Sequence, residues 1–179
     1  VRAAAKLGAS RVILARELDR NNIAHIVKNS PVEIEVFVHG AMCMSHSGQC
    51  LFSAMIASRS GNRGRCGQPC RLMYARDEEK HRHIMSLKDM CLAAYVNELK
   101  DMGAASLKIE GRLKRPEYVA MVTSVYRRIV DEGGAPTADE LRALEVVFSR
   151  DGFTDGYYTG RLGAKMFGMH ADNSASAEY

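Results

Sequence analysis

The stretch Val32-Glu33-Ile34-Glu35-Val36-Phe37-Val38 decides the fold of this chain. Its even positions are all β-branched and apolar, and charged Glu33 and Glu35 alternate with them, the period-two pattern of a strand with one buried face. Working outward, a weak repeat brackets it. Leu7-Gly8-Ala9-Ser10-Arg11-Val12-Ile13-Leu14 is echoed by Met102-Gly103-Ala104-Ala105-Ser106-Leu107-Lys108-Ile109. Each copy reads as a helix end, a glycine suited to the left-handed cap conformation, and a short strand.

Helical patterns fill the gaps. Asn21 to Lys28 is short and weakly amphipathic. Ser86-Leu87-Lys88-Asp89 has the form of a helix start, a capping Ser with an acid three residues on, and predicts a helix running to Met102. Pro116 suits a first helical turn, and Tyr118, Val119, Val122, Val125, Tyr126 and Ile129 follow at helical spacing until Gly133-Gly134. Thr137 to Glu140 is a capping box, opening a helix that ends near Phe148. Residues 58–70 and the tail after Asp151 are rich in Gly, Arg and polar residues and read as loop.

Strands alternating with helices predict an α/β domain with a largely parallel sheet. Three strands are too few to close an eight-stranded barrel, so the expectation is a partial parallel β/α barrel, a TIM-barrel-like fragment, followed by a helical and loop-rich C-terminal segment. Residues 1–134 are expected to form the later part of a barrel-like catalytic region carrying the cysteines. Residues 135–179 are expected to supply a helix, a Gly-rich loop and a polar tail leading into a further domain. A start at Val1 adds to the expectation of a piece of a longer protein.

The chain has 179 residues, 46% apolar and 26% charged, which is globular composition and not that of a disordered segment. No apolar run approaches the roughly 20 residues that cross a bilayer, and the N-terminus lacks the pattern of a signal peptide. No membrane partner and a cytoplasmic location are therefore expected. Lys and Arg outnumber Asp and Glu by 25 to 21, which permits contact with nucleic acid without demanding it.

Five cysteines are present, and four fall close together as Cys43-x6-Cys50-x15-Cys66-x3-Cys70. In a cytosolic chain such a group reads as metal-binding or redox chemistry before disulfides. Four soft thiolates can complete a tetrahedral zinc site or hold a 4Fe-4S cluster. Paired Cys-x2-Cys knuckles, the strongest zinc signature, are absent, and the wider gaps on Gly-rich loops favour a multi-atom cluster over zinc. The plain alternative is four small buried residues, which the polar surroundings of Cys43, Cys66 and Cys70 oppose. Cys50 could instead begin a buried helix with Leu51 and Phe52. Cys91, inside the helix expected after Ser86, reads as a packed side chain.

In parallel β/α folds the carboxyl ends of strands face the active site. That rule selects Arg16 and Glu17 after the first strand, His39 after the second, and Glu110 with Arg112 after the third. A carboxylate, an imidazole and a guanidinium converging there could position a small acidic molecule and move protons; the alternative is a structural ion pair. Arg59, Arg63, Arg65 and Arg71 surround the later cysteines, and Lys114 with Arg115 follow the third strand, a rim suited to RNA phosphates or simply a solvated loop. His81 and His83 read as exposed loop residues. No His-Glu-x-x-His zinc motif and no Gly-x-Ser-x-Gly elbow is present, and a Cys nucleophile paired with His46 or His39 would compete with a metal for the same thiolates.

These blocks together resemble a known family. Glu35-Val36-Phe37-Val38-His39-Gly40-Ala41-Met42-Cys43, Gly48-Gln49-Cys50-Leu51-Phe52-Ser53, Asn62-Arg63-Gly64-Arg65-Cys66-Gly67-Gln68-Pro69-Cys70-Arg71, Lys108-Ile109-Glu110-Gly111-Arg112 and Gly152-Phe153-Thr154-Asp155-Gly156-Tyr157 are similar to the collagenase-like peptidase family, peptidase family U thirty-two. The resemblance implies a barrel-like region truncated at its front and a 4Fe-4S cluster on Cys43, Cys50, Cys66 and Cys70. The family name records proteolysis, whereas better-understood members hydroxylate transfer RNA, ribosomal RNA or the ubiquinone ring without molecular oxygen, some taking the hydroxyl from prephenate. Oxygen-independent hydroxylation of an RNA base is therefore the leading expectation, with a collagenase-like peptidase or a zinc-stabilised RNA-binding fragment as alternatives. The oligomeric state is left open.

Overall fold

The computed structural model describes residues 1–75 and 82–168. Helix α1 (Arg2–Lys6) leads through Gly8, at φ 89°, into strand β1 (Arg11–Ile13). Asp19 then caps α2 (Arg20–Asn29), its carboxylate accepting from the backbone N–H groups of Asn21 and Asn22. Strand β2 (Glu33–Gly40) follows, with Ile34, Val36 and Val38 buried as their alternation requires. After α3 (Phe52–Ala57) and two single 3-10 turns come β3 (Asp89–Cys91) and α4 (Val96–Met102). Gly103, at φ 92°, ends α4 in the left-handed region and releases β4 (Ser106–Ile109), so both copies of the repeat fold as expected.

The sheet is mostly parallel. Strands β1 and β4 flank β2 in parallel register, Ile13 opposite Glu35 on one edge and Ser106 opposite the same Glu35 on the other. Strand β3 is antiparallel to β2, with His39 facing Cys91 and Gly40 facing Met90. Helix α5 (Pro116–Glu132) starts on its proline and buries Tyr118, Val122, Val125, Tyr126 and Ile129 against the sheet; Val119 stays at the surface. Helix α6 (Ala138–Val147) opens on the Thr137–Glu140 capping box, and its Leu144 joins the core.

Two expectations are corrected. The helix predicted from Ser86 to Met102 is helical only from Ala93, in a 3-10 turn (Ala93–Tyr95) that leads into α4: Leu87 bridges to Phe167, and residues 89–91 form β3, which takes Cys91 out of a helix and into a strand. Ser86 looks like a cap, but its hydroxyl accepts from Arg71 instead, and Asp89 faces Arg150, so long-range partners override the local signal. The segment after Asp151, read as loop, contains β5 (Phe153–Thr154), parallel to β3, and a short helix α7 (Gly156–Thr159). The polar tail from 169 onward lies outside the described residues, as does His81. Among the described residues no helix is long and apolar enough to cross a membrane.

Candidate metal centre

The connections that leave the carboxyl ends of β1, β2 and β4 build the site. Strand β2 ends on Gly40, at φ 110°, where a Cβ would stand 2.5 Å from the carbonyl oxygen of Glu110; only glycine lets the chain leave here against the end of β4. Met42 turns inward and Cys43 outward. The loops that follow carry little regular structure and are tied by polar bonds. Asn62 Nδ2 donates to the Gly48 carbonyl at 2.9 Å, and the Gly67 N–H donates to the buried Ser53 hydroxyl at 2.8 Å. Ser58 and Gln68 occupy the left-handed region at φ 53° and 54°. The Gln68 N–H points at Cys66 Sγ, 3.3 Å away.

All five cysteines are free thiols. Burial pushes the Cys70 thiol up; neighbouring Arg71 opposes this, and Cys43, Cys66 and Cys50 push it further up. Cys70 therefore feels the other three members of the sequence-defined set. Cys91 belongs elsewhere. Burial raises its thiol, its sulfur lies 3.8 Å from the Tyr126 hydroxyl, and the charge acting on it is that of Asp155. Among the described residues no group of three or more His, Cys, Asp or Glu side chains is gathered as ligands of one metal ion.

Four of the strand-end residues gather beside these loops. Arg16 lies over the Phe37 ring at 3.7 Å and donates to Glu110 Oε2 at 3.3 Å. Burial lowers its pKa, against the raising influence of Glu110, Cys43 and Glu17 in that order. The Arg112 N–H donates to Glu110 Oε1 at 3.0 Å, and a Cβ on Gly64 would lie 3.2 Å from Arg112 Nη1, so this guanidinium rests against the cysteine loop. Glu17 accepts from the backbone N–H and the hydroxyl of Ser47, between Cys43 and Cys50.

His39 does not join them. The register of β2 against β4 shifts between Phe37 and His39, and this irregularity turns Val38, His39 and Gly40 all inward. The ring is 1% exposed, packed against Tyr118, Tyr126 and Phe153, with Nδ1 3.2 Å from the Tyr126 hydroxyl. Burial depresses its pKa to about 4, so it is neutral at physiological pH.

The arginine rim divides. Arg59, Arg63 and Arg65 are exposed, whereas Arg71 is half-buried and directed into the protein. His83 is not an exposed loop residue: it is half-buried, with Nδ1 2.9 Å from the Arg71 carbonyl. Behind Cys70 lies a cluster that sequence reasoning missed. Arg150 and Asp89 form a buried pair at 2.5 Å, Arg150 Nη2 reaches Gln68 Oε1 at 3.5 Å, and Lys114 Nζ stands 2.9 Å from the Phe148 ring centroid. Burial, assisted by Arg150, brings the Lys114 pKa down to about 7. The only sequence signal for this cluster was an Asp in a polar block and an Arg beside a turn, which no local pattern joins.

A mostly parallel α/β sheet with an Arg–Glu pair at its strand ends, beside the loops that carry four of the five cysteines, defines the class: an α/β protein with a candidate site at its strand ends. The chain belongs to Peptidase family U32, which matches residues 1–167. It is 38% identical over 184 residues to tRNA hydroxylation protein P1 of Bacillus subtilis, covering 92% of this chain and 43% of that protein. A Porphyromonas gingivalis protein named collagenase is 38% identical over 181 residues, covering 87% and 44%. A 23S rRNA 5-hydroxycytidine synthase of Escherichia coli is 40% identical over 131 residues, covering 70% and 20%. The chain thus spans less than half the length of these relatives. No solved structure matches it.

Proposed function

We propose that this chain is the cysteine-bearing part of an iron-sulfur enzyme that hydroxylates an RNA base without molecular oxygen, its sheet being a segment of a larger β/α barrel. The observation that carries the reading is that Arg71, next to Cys70, donates to the carbonyl of Met42, next to Cys43, so two of the four cysteine segments meet at the strand ends that also hold Glu110 and Arg16, while Cys91 lies apart against Tyr126. Relatives named for tRNA and rRNA hydroxylation support the substrate class.

Four soft thiolates suit zinc or a 4Fe-4S cluster, and the spacing Cys43-x6-Cys50-x15-Cys66-x3-Cys70, without paired Cys-x2-Cys knuckles, favours the cluster. A 4Fe-4S cluster needs the same four soft ligands set wider around a larger body, and when bound it would supply single-electron transfer. The chain's own residues do the rest. Glu110, held by Arg16 and the Arg112 N–H, presents a carboxylate beside the cysteine loops for proton transfer or for orienting a base. Arg112 and the exposed Arg59, Arg63 and Arg65 offer cations to phosphates or to an acidic hydroxyl donor of the prephenate type.

Protein purified without oxygen is expected to contain about four iron and four sulfide per chain. Cys→Ser at positions 43, 50, 66 or 70 should each degrade that content, and Cys91→Ser should leave it nearly unchanged; stoichiometric zinc without iron would sink the cofactor. Deleting the gene should remove one hydroxylated nucleoside from digested cellular RNA, and the full-length Glu110→Gln protein should keep its iron yet fail to restore it. An unchanged nucleoside profile with altered peptide turnover would move the function to proteolysis.

A further inference from the structure

The cysteines reach the site from separate segments, Cys43 at the exit of β2 and Cys66 with Cys70 more than twenty residues later. Cys43 lies in a loop with no helix or strand of its own, and α3 and the turns 61–63 and 69–71 bury little apolar surface. Something else must fix the distance between the two ends. The side chain that does so is Arg71. Its Nη2 donates to the Met42 carbonyl at 2.5 Å, one residue before Cys43. Its Nη1 donates to the Ser86 hydroxyl at 3.0 Å and to the Leu87 carbonyl. Met42, Ser86 and Leu87 are each no more than 3% exposed, so their acceptors have no access to water as a substitute. The carbonyl of Arg71 in turn faces His83 Nδ1 at 2.9 Å.

We propose that Arg71 is the positioning residue of the cysteine centre: its planar guanidinium clamps the segment of Cys70 to the segment of Cys43 and to the entry of β3, fixing the ligand spacing before any metal arrives. The inference rests on the reading of the four cysteines as ligands, and goes beyond it by assigning the rigidity of the set to one side chain that is not a ligand. Fork geometry is essential to this role. Three acceptors lie on three different residues, and a guanidinium can span them whereas the point charge of a lysine cannot.

The test uses full-length protein made without oxygen, with Arg71→Lys and Arg71→Met beside the parent. Outer residues that orient ligands are worth about 10–100-fold in metal affinity, and both variants should lose iron to a chelator by a factor in that range. The lysine variant must not rescue; full retention of iron by Arg71→Lys would reduce the role to charge and overturn the proposal. The second readout needs no metal. In metal-free protein, alkylation of Cys70 by iodoacetamide should speed up severalfold in both variants while Cys91, held in β3, keeps its rate. Equal acceleration at Cys70 and Cys91 would signal general loosening of the fold and would also overturn it. Should both variants fail to fold, Ser86→Ala replaces them, and unchanged iron affinity with unchanged Cys70 alkylation then counts against the clamp. A parent protein that binds no metal refutes the cofactor reading, and the alkylation readout still decides the clamp by itself.

Discussion

The framework of β1, α2, β2, α4, β4 and α5 and the cysteine-bearing region between Ala41 and Ser86 are held together by different forces. In the framework, Ile34, Val36, Val38, Val96, Leu99, Val122 and Ile129 are buried in one continuous apolar core. In the cysteine region Leu51, Met55, Ile56, Leu72 and Met73 are exposed by more than half, and the chain is tied instead by Glu17 to Ser47, Asn62 to Gly48, Gly67 to Ser53 and Arg71 to Met42 and Ser86. Apolar burial is non-directional and tolerates motion, whereas hydrogen bonds fix positions at modest net stability, about 1 kcal/mol each. A site that must present sulfurs at set distances gains from the second kind of support, and a frame that must stay folded gains from the first.

The sharpest way to break this comparison is to disrupt the buried ion pair that borders the cysteine region. Arg150 and Asp89 are both almost completely buried, and Arg150 also reaches Gln68 between Cys66 and Cys70. Asp89→Asn would leave the guanidinium buried without its counter-charge, a change that costs about 3–5 kcal/mol in such settings. Urea unfolding should register that loss, with Cys70 becoming more reactive below the unfolding transition. A loss under about 1 kcal/mol, within the range of exposed pairs, would mean the two regions are not coupled there.

A somewhat smaller effect separates the regions by pH. His39 belongs to the framework core, and burial lowers its pKa from 6.5 to about 4. The unfolded chain therefore binds a proton between these values that the folded chain refuses. This contribution to stability is fully present above pH 6.5 and is lost as pH falls toward 4, by about 3 kcal/mol at 1.36 kcal/mol per pH unit. The difference in unfolding free energy between pH 7 and pH 4 should shrink by about that amount in His39→Gln. Parallel pH profiles for parent and variant would contradict a neutral buried ring.

The same contrast explains what could be read from sequence. The alternation of Val32 to Val38, the glycines at 8 and 103, and the proline at 116 each act within a few residues of themselves, and each produced the expected element. The four cysteines stood out as a candidate set because their close spacing and polar surroundings set them apart from Cys91. Ser86 and Asp89 misled because their partners, Arg71 and Arg150, lie fifteen and sixty-one residues away. His39 was placed with the strand-end residues by the rule that carboxyl ends face the site, and the rule does not foresee the irregularity in pairing with β4 beside which its ring is buried. Arg71 looked like part of a phosphate rim because sequence carries no sign of which way an arginine turns.

The smallest expected effect serves as the control for the whole comparison. Thr137 caps α6 through its own hydroxyl, which accepts from the Glu140 N–H at 3.1 Å, while Glu140 accepts from the Thr137 N–H at 2.7 Å and pairs with Arg128 of α5. Every bond in this box is formed within the helix start or to the adjoining helix, so the box acts on the framework alone. Thr137→Ala removes one acceptor at an exposed position where water can replace it, and caps of this kind contribute about 0.5–2 kcal/mol. Urea unfolding should therefore shift by roughly 1 kcal/mol, while iron retention and Cys70 alkylation stay at parent values. If so slight a change at α6 altered the cysteines as Arg71→Lys is expected to, their spacing would depend on the stability of the whole frame, and the division of labour between the two regions would fall.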